Sequence, residues 1–159
     1  MIQRIQTLYL LISIICLSVV QFGGDIFYLI GEKMHVLNAY GIVNKTPGAE
    51  VKMVKNFPLF MLIIVLIVLL VVTIFSYKKL KSQLKLIKLL LFVYGTVLLG
   101  LVVMFLINYN LIDNSLVADF KYQFAPGMYF IILGFPALFL ALKGIKKDLN
   151  LLDSLNRLR

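Results

Sequence analysis

Four stretches of the chain contain no charged side chain, and they limit what it can become more than any other feature. A helix rises about 1.5 Å per residue and the hydrocarbon layer of a bilayer is about 30 Å thick, so one crossing needs roughly 20 such residues. Residues 57–77, FPLFMLIIVLIVLLVVTIFSY, meet that requirement most plainly. Residues 5–22, 89–107 and 124–142 meet it too, the first with only Gln6, Thr7, Ser13, Ser18 and Gln21 as clearly polar members. In the last stretch Gly134-Phe135-Pro136 removes a backbone donor, which predicts a bend near residue 132. Across 159 residues, 62% are apolar and 14% charged, against about 45–50% and about 25% in a soluble domain, so a single core cannot hide them. The single cysteine, Cys16, excludes an internal disulfide framework. Arg4 before the first apolar run resembles the start of a signal peptide, but the stretch LSVVQFGGD offers no small-x-small cleavage site, so a retained anchor is expected.

The net charge of +9 invites a nucleic-acid reading until it is mapped onto the spans. Residues 1–4, 78–88 and 143–159 fall on one side and hold Arg4, Lys78, Lys79, Lys81, Lys85, Lys88, Lys143, Lys146, Lys147, Arg157 and Arg159, eleven basic residues against Asp148 and Asp153. The opposite side, 23–56 and 108–123, holds five basic and five acidic residues. The whole excess lies on one face, and the positive-inside rule makes that face cytoplasmic, with both termini inside. The lysines lack the interleaved aromatics of a nucleic-acid platform, so no nucleic-acid partner is expected. These eleven residues are candidates for contact with anionic lipid headgroups or with a partner protein.

The first outer loop, 23–56, is longer than a connector needs. Residues 26–30, 36–43 and 50–54 have strand character, separated by turns at 31–33 and 44–48. In the second outer loop Ala118, Phe120, Tyr122 and Phe124 alternate with polar neighbours at a period of two. A small antiparallel sheet of three or four strands is expected, its apolar side resting on the outer helix ends. His35, the only histidine, reads as a solvated or hydrogen-bonded side chain rather than a metal ligand, and the spacing of Asp25, Glu32, Glu50 and Asp119 matches no calcium loop.

No span contains Asp, Glu, Lys, Arg or His. Intramembrane ionisable groups mark proton relays, ion paths and substrate sites, so their absence argues against ion-coupled transport and catalysis. No enzyme activity, cofactor or metal is expected, and Cys16, without a base or cation nearby, is expected to be inert. Tyr94 lies deep in the third span, and its hydroxyl needs a partner on a neighbouring helix. Gly127, Gly134, Ala137, Ala141 and Gly144 put small residues along the fourth span, where they serve close helix packing, within one chain or between copies.

After the fourth span, KGIKKDLNLLDSLNRLR is amphipathic at helical spacing. It can lie at the headgroups, fill a partner's groove, or continue the span into the cytoplasm. The opening MIQRIQT, residues 1–7, and the ending, Lys143, Gly144, Ile145, Lys146, Lys147 and Asp148 followed by Arg157, Leu158 and Arg159, resemble an uncharacterised bacterial membrane-protein family, domain of unknown function 4293. The chain departs from the family ending at Leu149-Asn150, where a charged residue is usual. The resemblance implies the inner membrane of a bacterium of the Bacteroidetes, and it implies no reaction.

The predicted fold is therefore an all-α membrane protein: a four-transmembrane-helix bundle with cytoplasmic termini and a small outer antiparallel β-sheet. Both terminal motifs face the cytoplasm in this arrangement, and Gln3, Arg4 and Gln6 are expected to meet the helix beginning at Lys146. The expected role is a structural or accessory subunit of a membrane assembly. Two alternatives are a small oligomeric channel or transporter for a neutral or anionic solute, and an envelope sensor or adhesion module using the outer sheet.

Overall fold

A computed structural model describes residues 3–30, 34–45, 52–56, 59–113 and 121–157. Four helices carry the fold: α1 (Gln3–Phe22), α2 (Leu59–Phe75), α3 (Leu80–Asp113) and α4 (Pro126–Arg157). Five short strands lie between them: β1 (Phe27–Ile30), β2 (His35–Asn38), β3 (Gly41–Asn44), β4 (Lys52–Asn56) and β5 (Lys121–Phe124). The fold is mostly helical, and α1, α3 and α4 are long and apolar enough to cross a membrane; α2 carries no charge at all but has 17 residues.

Each helix packs against two others, α1 on α4 and α2, and α3 on α4 and α2. The facing residues come from one stripe per helix. On α2 these are Leu59, Ile63, Leu66, Leu70 and Thr73, a spacing of three and four that keeps one seam turned inward. Leu10 and Leu17, Ile87 and Leu90, and Leu138 and Ile145 join it in one buried cluster. The outward surface is just as apolar. On α1, Ile5, Leu8, Leu11, Ile15 and Val19 are exposed while Gln6, Ser13 and Gln21 are buried, the reverse of a soluble helix.

Several boundaries differ from the sequence expectation. Residues 78–88, expected as a loop, contain the end of a 3-10 turn (Ser76–Lys78) and then the first turns of α3. The connection stays tight because Gln83 Nε2 donates to the Thr73 carbonyl at 3.1 Å inside the packed interface. The span expected over 89–107 lies within this 34-residue helix, which also takes in the first residues of the expected loop 108–123. Residues 143–157 continue α4 without a break, and α4 likewise runs unbroken past Pro136.

The sheet has five strands in the order β4-β3-β2-β1-β5, all antiparallel, where three or four were expected. The run 36–43 is two strands rather than one. Asn38 Oδ1 accepts from the N–H groups of Tyr40 and Gly41, both at 3.0 Å, and this side-chain turn reverses the chain at Ala39-Tyr40. Gly41, at φ +147°, takes the left-handed backbone that the reversal requires. β1 pairs with both β2 and β5, so it joins the two outer segments, with Phe27 opposite Phe124. Phe105 of α3 stacks on Phe124 with centroids 4.7 Å apart and lies 5.3 Å from Phe27, seating the sheet on the helix end. Residues 31–33, 46–50 and 114–120, which include parts of the expected turns and strands, lie outside the described residues.

Candidate functional site

α1 and α4 run antiparallel, and their shared seam holds polar contacts at three levels. At the sheet end, α1 stops where Gly24 N–H bonds to the Val19 carbonyl at 3.0 Å, with Gly23 at φ +151° making the turn. The chain then passes directly under the start of α4, where Gly127 N–H donates to the Asp25 carbonyl at 2.8 Å. A Cβ on Gly127 would lie 2.6 Å from that oxygen, so only glycine permits the approach.

Halfway along, the Ser13 hydroxyl lies 3.2 Å from the Tyr9 carbonyl on its own helix and 3.0 Å from the Gly134 carbonyl on α4. Tyr94 reaches the same level from α3, and its hydroxyl donates to the Ile131 carbonyl at 2.8 Å. Its Oη fills the space beside Gly134, where a Cβ would collide with it. The partner expected for Tyr94 is thus a carbonyl just before the Gly134-Phe135-Pro136 step. Cys16 is buried beside Gly134, and no second thiol exists to pair with it.

At the far end, Gln6 Nε2 donates to Asp148 Oδ2 at 2.6 Å. Gly144 makes room for this contact, since its Cβ would stand 2.8 Å from Gln6 Cγ. The other carboxylate oxygen, Asp148 Oδ1, is buried with no partner among the described residues, as are Gln21 Oε1 and His35 Nδ1. Gln6 was expected to meet the α4 tail. That Asp148 would be its partner, and Ser13 the middle contact, had no local signal, because the paired residues lie 142 and 121 positions apart.

Of the small residues on α4, Gly127, Gly134 and Gly144 sit at these levels, while Ala137 and Ala141 are buried. From the Gly127 contact to Gly144 is seventeen residues, about 25 Å of helix, close to one hydrocarbon thickness.

Because the helices alternate in direction, the basic residues gather at the end away from the sheet. Lys79, Lys81, Lys85 and Lys88 are exposed around the start of α3, and Lys143, Lys146 and Lys147 are exposed on α4. Lys143 Nζ lies 4.9 Å from the Phe139 ring centroid, within reach of a cation–π attraction. For Arg4, Lys78 and Arg157 only the backbone is described, and Arg159 lies outside the described residues.

On the sheet side, Lys45 pairs with Asp25 at 2.9 Å, and Tyr28 Oη donates to the same carboxylate at 3.3 Å. Burial, then the neighbouring Asp25 charge, push the Tyr28 phenol above its ordinary value. Among the described residues no group of three His, Cys, Asp or Glu side chains could hold a metal. The cavity beneath the sheet, between Leu17, Ile26, Leu59, Tyr94 and Ile131, holds only about 10 Å³, at or below what one water needs.

A family model described as Domain of unknown function (DUF4293) matches residues 2–158. Comparison with curated proteins gives no match.

Proposed function

The chain belongs to the DUF4293 family, and from that premise we propose that it is an inner-membrane protein of four spans with cytoplasmic termini, acting as a structural or accessory subunit of a membrane assembly. One observation carries this reading: among the described residues the outward surface is apolar and the interior beside Tyr94 is closed. The outward faces of all four helices expose large apolar side chains, among them Phe22, Phe75, Phe92 and Leu133, a surface that water does not tolerate and lipid does. Inside, Gln6, Ser13 and Tyr94 spend their hydrogen bonds on neighbouring helices, and the apolar cavity beside Tyr94 has no room for a solute.

The count of four spans rests on α2, the second in chain order. Its 17 residues rise about 25 Å, and the uncharged stretch 57–77 supplies the remainder. A transporter would need a polar cavity near the middle of the helices. At that level stands the Tyr94–Gly134 contact instead, which supports a subunit over a channel.

The test is gentle solubilisation at native expression, followed by native electrophoresis and identification of co-migrating chains. An assembly subunit runs in a defined complex far above the 18.1 kDa chain in its micelle. Migration as a free monomer, with no chain co-migrating at constant ratio, refutes the reading. Single cysteines introduced near residues 45 and 150 in a Cys16→Ser background test the topology, because an impermeant thiol reagent should label only the former in intact cells.

A further inference from the structure

The α4 segment beyond the apolar stretch sorts its charges by face. Ala141 and Ile145 are fully buried, and on the same side Asp148 turns to Gln6 of α1. Lys143, Lys146, Lys147, Asn150 and Leu151 occupy the opposite side, at the three- and four-residue spacing that aligns them on one helix face. They line a shallow depression, and all five are exposed. Among the described residues the one ion pair is Lys45–Asp25 at the other end of the molecule, so none of these ammonium groups has a carboxylate partner. The remaining acid of the segment, Asp153, lies seven residues beyond Lys146, about 10 Å farther along the helix. Three like charges within little more than one turn repel one another, and an anion between them relieves that repulsion.

The surroundings say which anion. Toward the middle of α4 the same face continues into exposed Phe139 and Leu140, and Lys143 folds back over the Phe139 ring. An apolar surface that runs directly into a basic depression with an amide donor matches a molecule with hydrocarbon chains at one end and a phosphate at the other.

We propose that Lys143, Lys146, Lys147 and Asn150 form a site for the headgroup phosphate of an anionic phospholipid, with its acyl chains lying on Phe139 and Leu140. The site deepens the membrane reading and rests on it. It differs from general attraction between a basic surface and an anionic leaflet in requiring the depression that Lys143, Lys146 and Lys147 share, so the exposed Lys79, Lys81 and Lys85 around the start of α3 serve as its comparison.

The full chain in phosphatidylcholine nanodiscs, titrated with phosphatidylglycerol and read by native mass spectrometry, tests this. At about 1 kcal/mol per basic residue, the triple variant Lys143→Ala, Lys146→Ala, Lys147→Ala should retain phosphatidylglycerol about a hundredfold less tightly. The variant Lys79→Ala, Lys81→Ala, Lys85→Ala removes the same charge but no residue of the depression, and its loss should be smaller by about tenfold or more. Equal losses in both variants would make the attraction diffuse and overturn the site, as would an unchanged α4 variant. Complete displacement of the lipid by millimolar inorganic phosphate would overturn it in favour of a free-anion site. Lys→Gln at the same three positions replaces the alanine variant if that does not fold. Extraction of the wild-type chain from native membranes by alkaline carbonate refutes the membrane reading itself, independently of the titration.

Discussion

Replacing Gly134 by alanine sets a methyl group against the Tyr94 hydroxyl. A Cβ there would also lie 3.3 Å from Tyr94 Cζ, which needs a small shift, and 3.5 Å from the Cys16 Cβ, an ordinary contact, so the hydroxyl is the main obstacle. Tyr94 has little freedom to yield. It is 1% exposed, its hydroxyl is held by the Ile131 carbonyl, and Phe135 lies against its ring at 6.0 Å between centroids. Overpacking of this kind costs about 1–3 kcal/mol. Displacing the hydroxyl from its carbonyl adds about 0.6–1.7 kcal/mol, the range for interhelical hydrogen bonds in membranes. Alanine returns up to about 1 kcal/mol of helix propensity, leaving a net loss of about 1–4 kcal/mol. Tyr94→Phe alone should cost less, about 1 kcal/mol, because it removes the donor rather than stranding it. In the double variant the colliding oxygen is gone, and the residual 3.3 Å contact needs only a small shift. The two losses should therefore fail to add, with a coupling of at least about 1 kcal/mol in the rescuing direction. Reversible unfolding in mixed micelles, followed by helical circular dichroism across the four proteins of the cycle, measures it. Strict additivity, or a Gly134→Ala protein as stable as wild type, would refute the account of this contact.

Two further outcomes follow from the other levels of the seam. Gln6→Leu removes the one donor, among the described residues, to a partly buried carboxylate and should destabilise by about 1.5–3 kcal/mol, whereas Asp148→Leu added to it should recover part of that loss; the same unfolding assay decides. Gly127→Ala drives a Cβ into the Asp25 and Gly24 carbonyls, which are backbone and cannot swing aside, so it should cost about 2 kcal/mol or more. Gly100→Ala is its control: nothing stands within 4 Å of that Cβ, and its melting temperature should equal or exceed the wild-type value.

The elements most visible in the residue order were those with the strongest local signals. Uncharged length marked all four helices, α2 most plainly, and alternation at 121–124 marked β5. The hairpin hidden in 36–43 escaped because its turn carries Ala39-Tyr40, neither a turn former. The turn is made by the Asn38 side chain and by the backbone of Gly41, one residue to either side. The loop expected over 78–88 was helix because its lysines interrupt hydrophobicity without interrupting helix propensity, lysine being a good helix former. Among the small residues of α4, spacing flagged Gly134 and Gly144, yet spacing alone leaves open whether they face lipid, another copy or their own chain.

Residue order alone settled where uncharged length lies, where the basic residues cluster and that no apolar stretch carries Asp, Glu, Lys, Arg or His. These are properties of composition along a line, and solvation acts on them segment by segment. Only the tertiary structure decided that Gln6 meets Asp148, that Tyr94 fills the gap at Gly134, and that Lys143, Lys146 and Lys147 turn away from the acid beside them. In a helix apolar on every side, hydropathy does not distinguish the face that meets lipid from the face that meets protein. That choice falls to shape and to the few polar groups, which must find partners on helices distant in sequence.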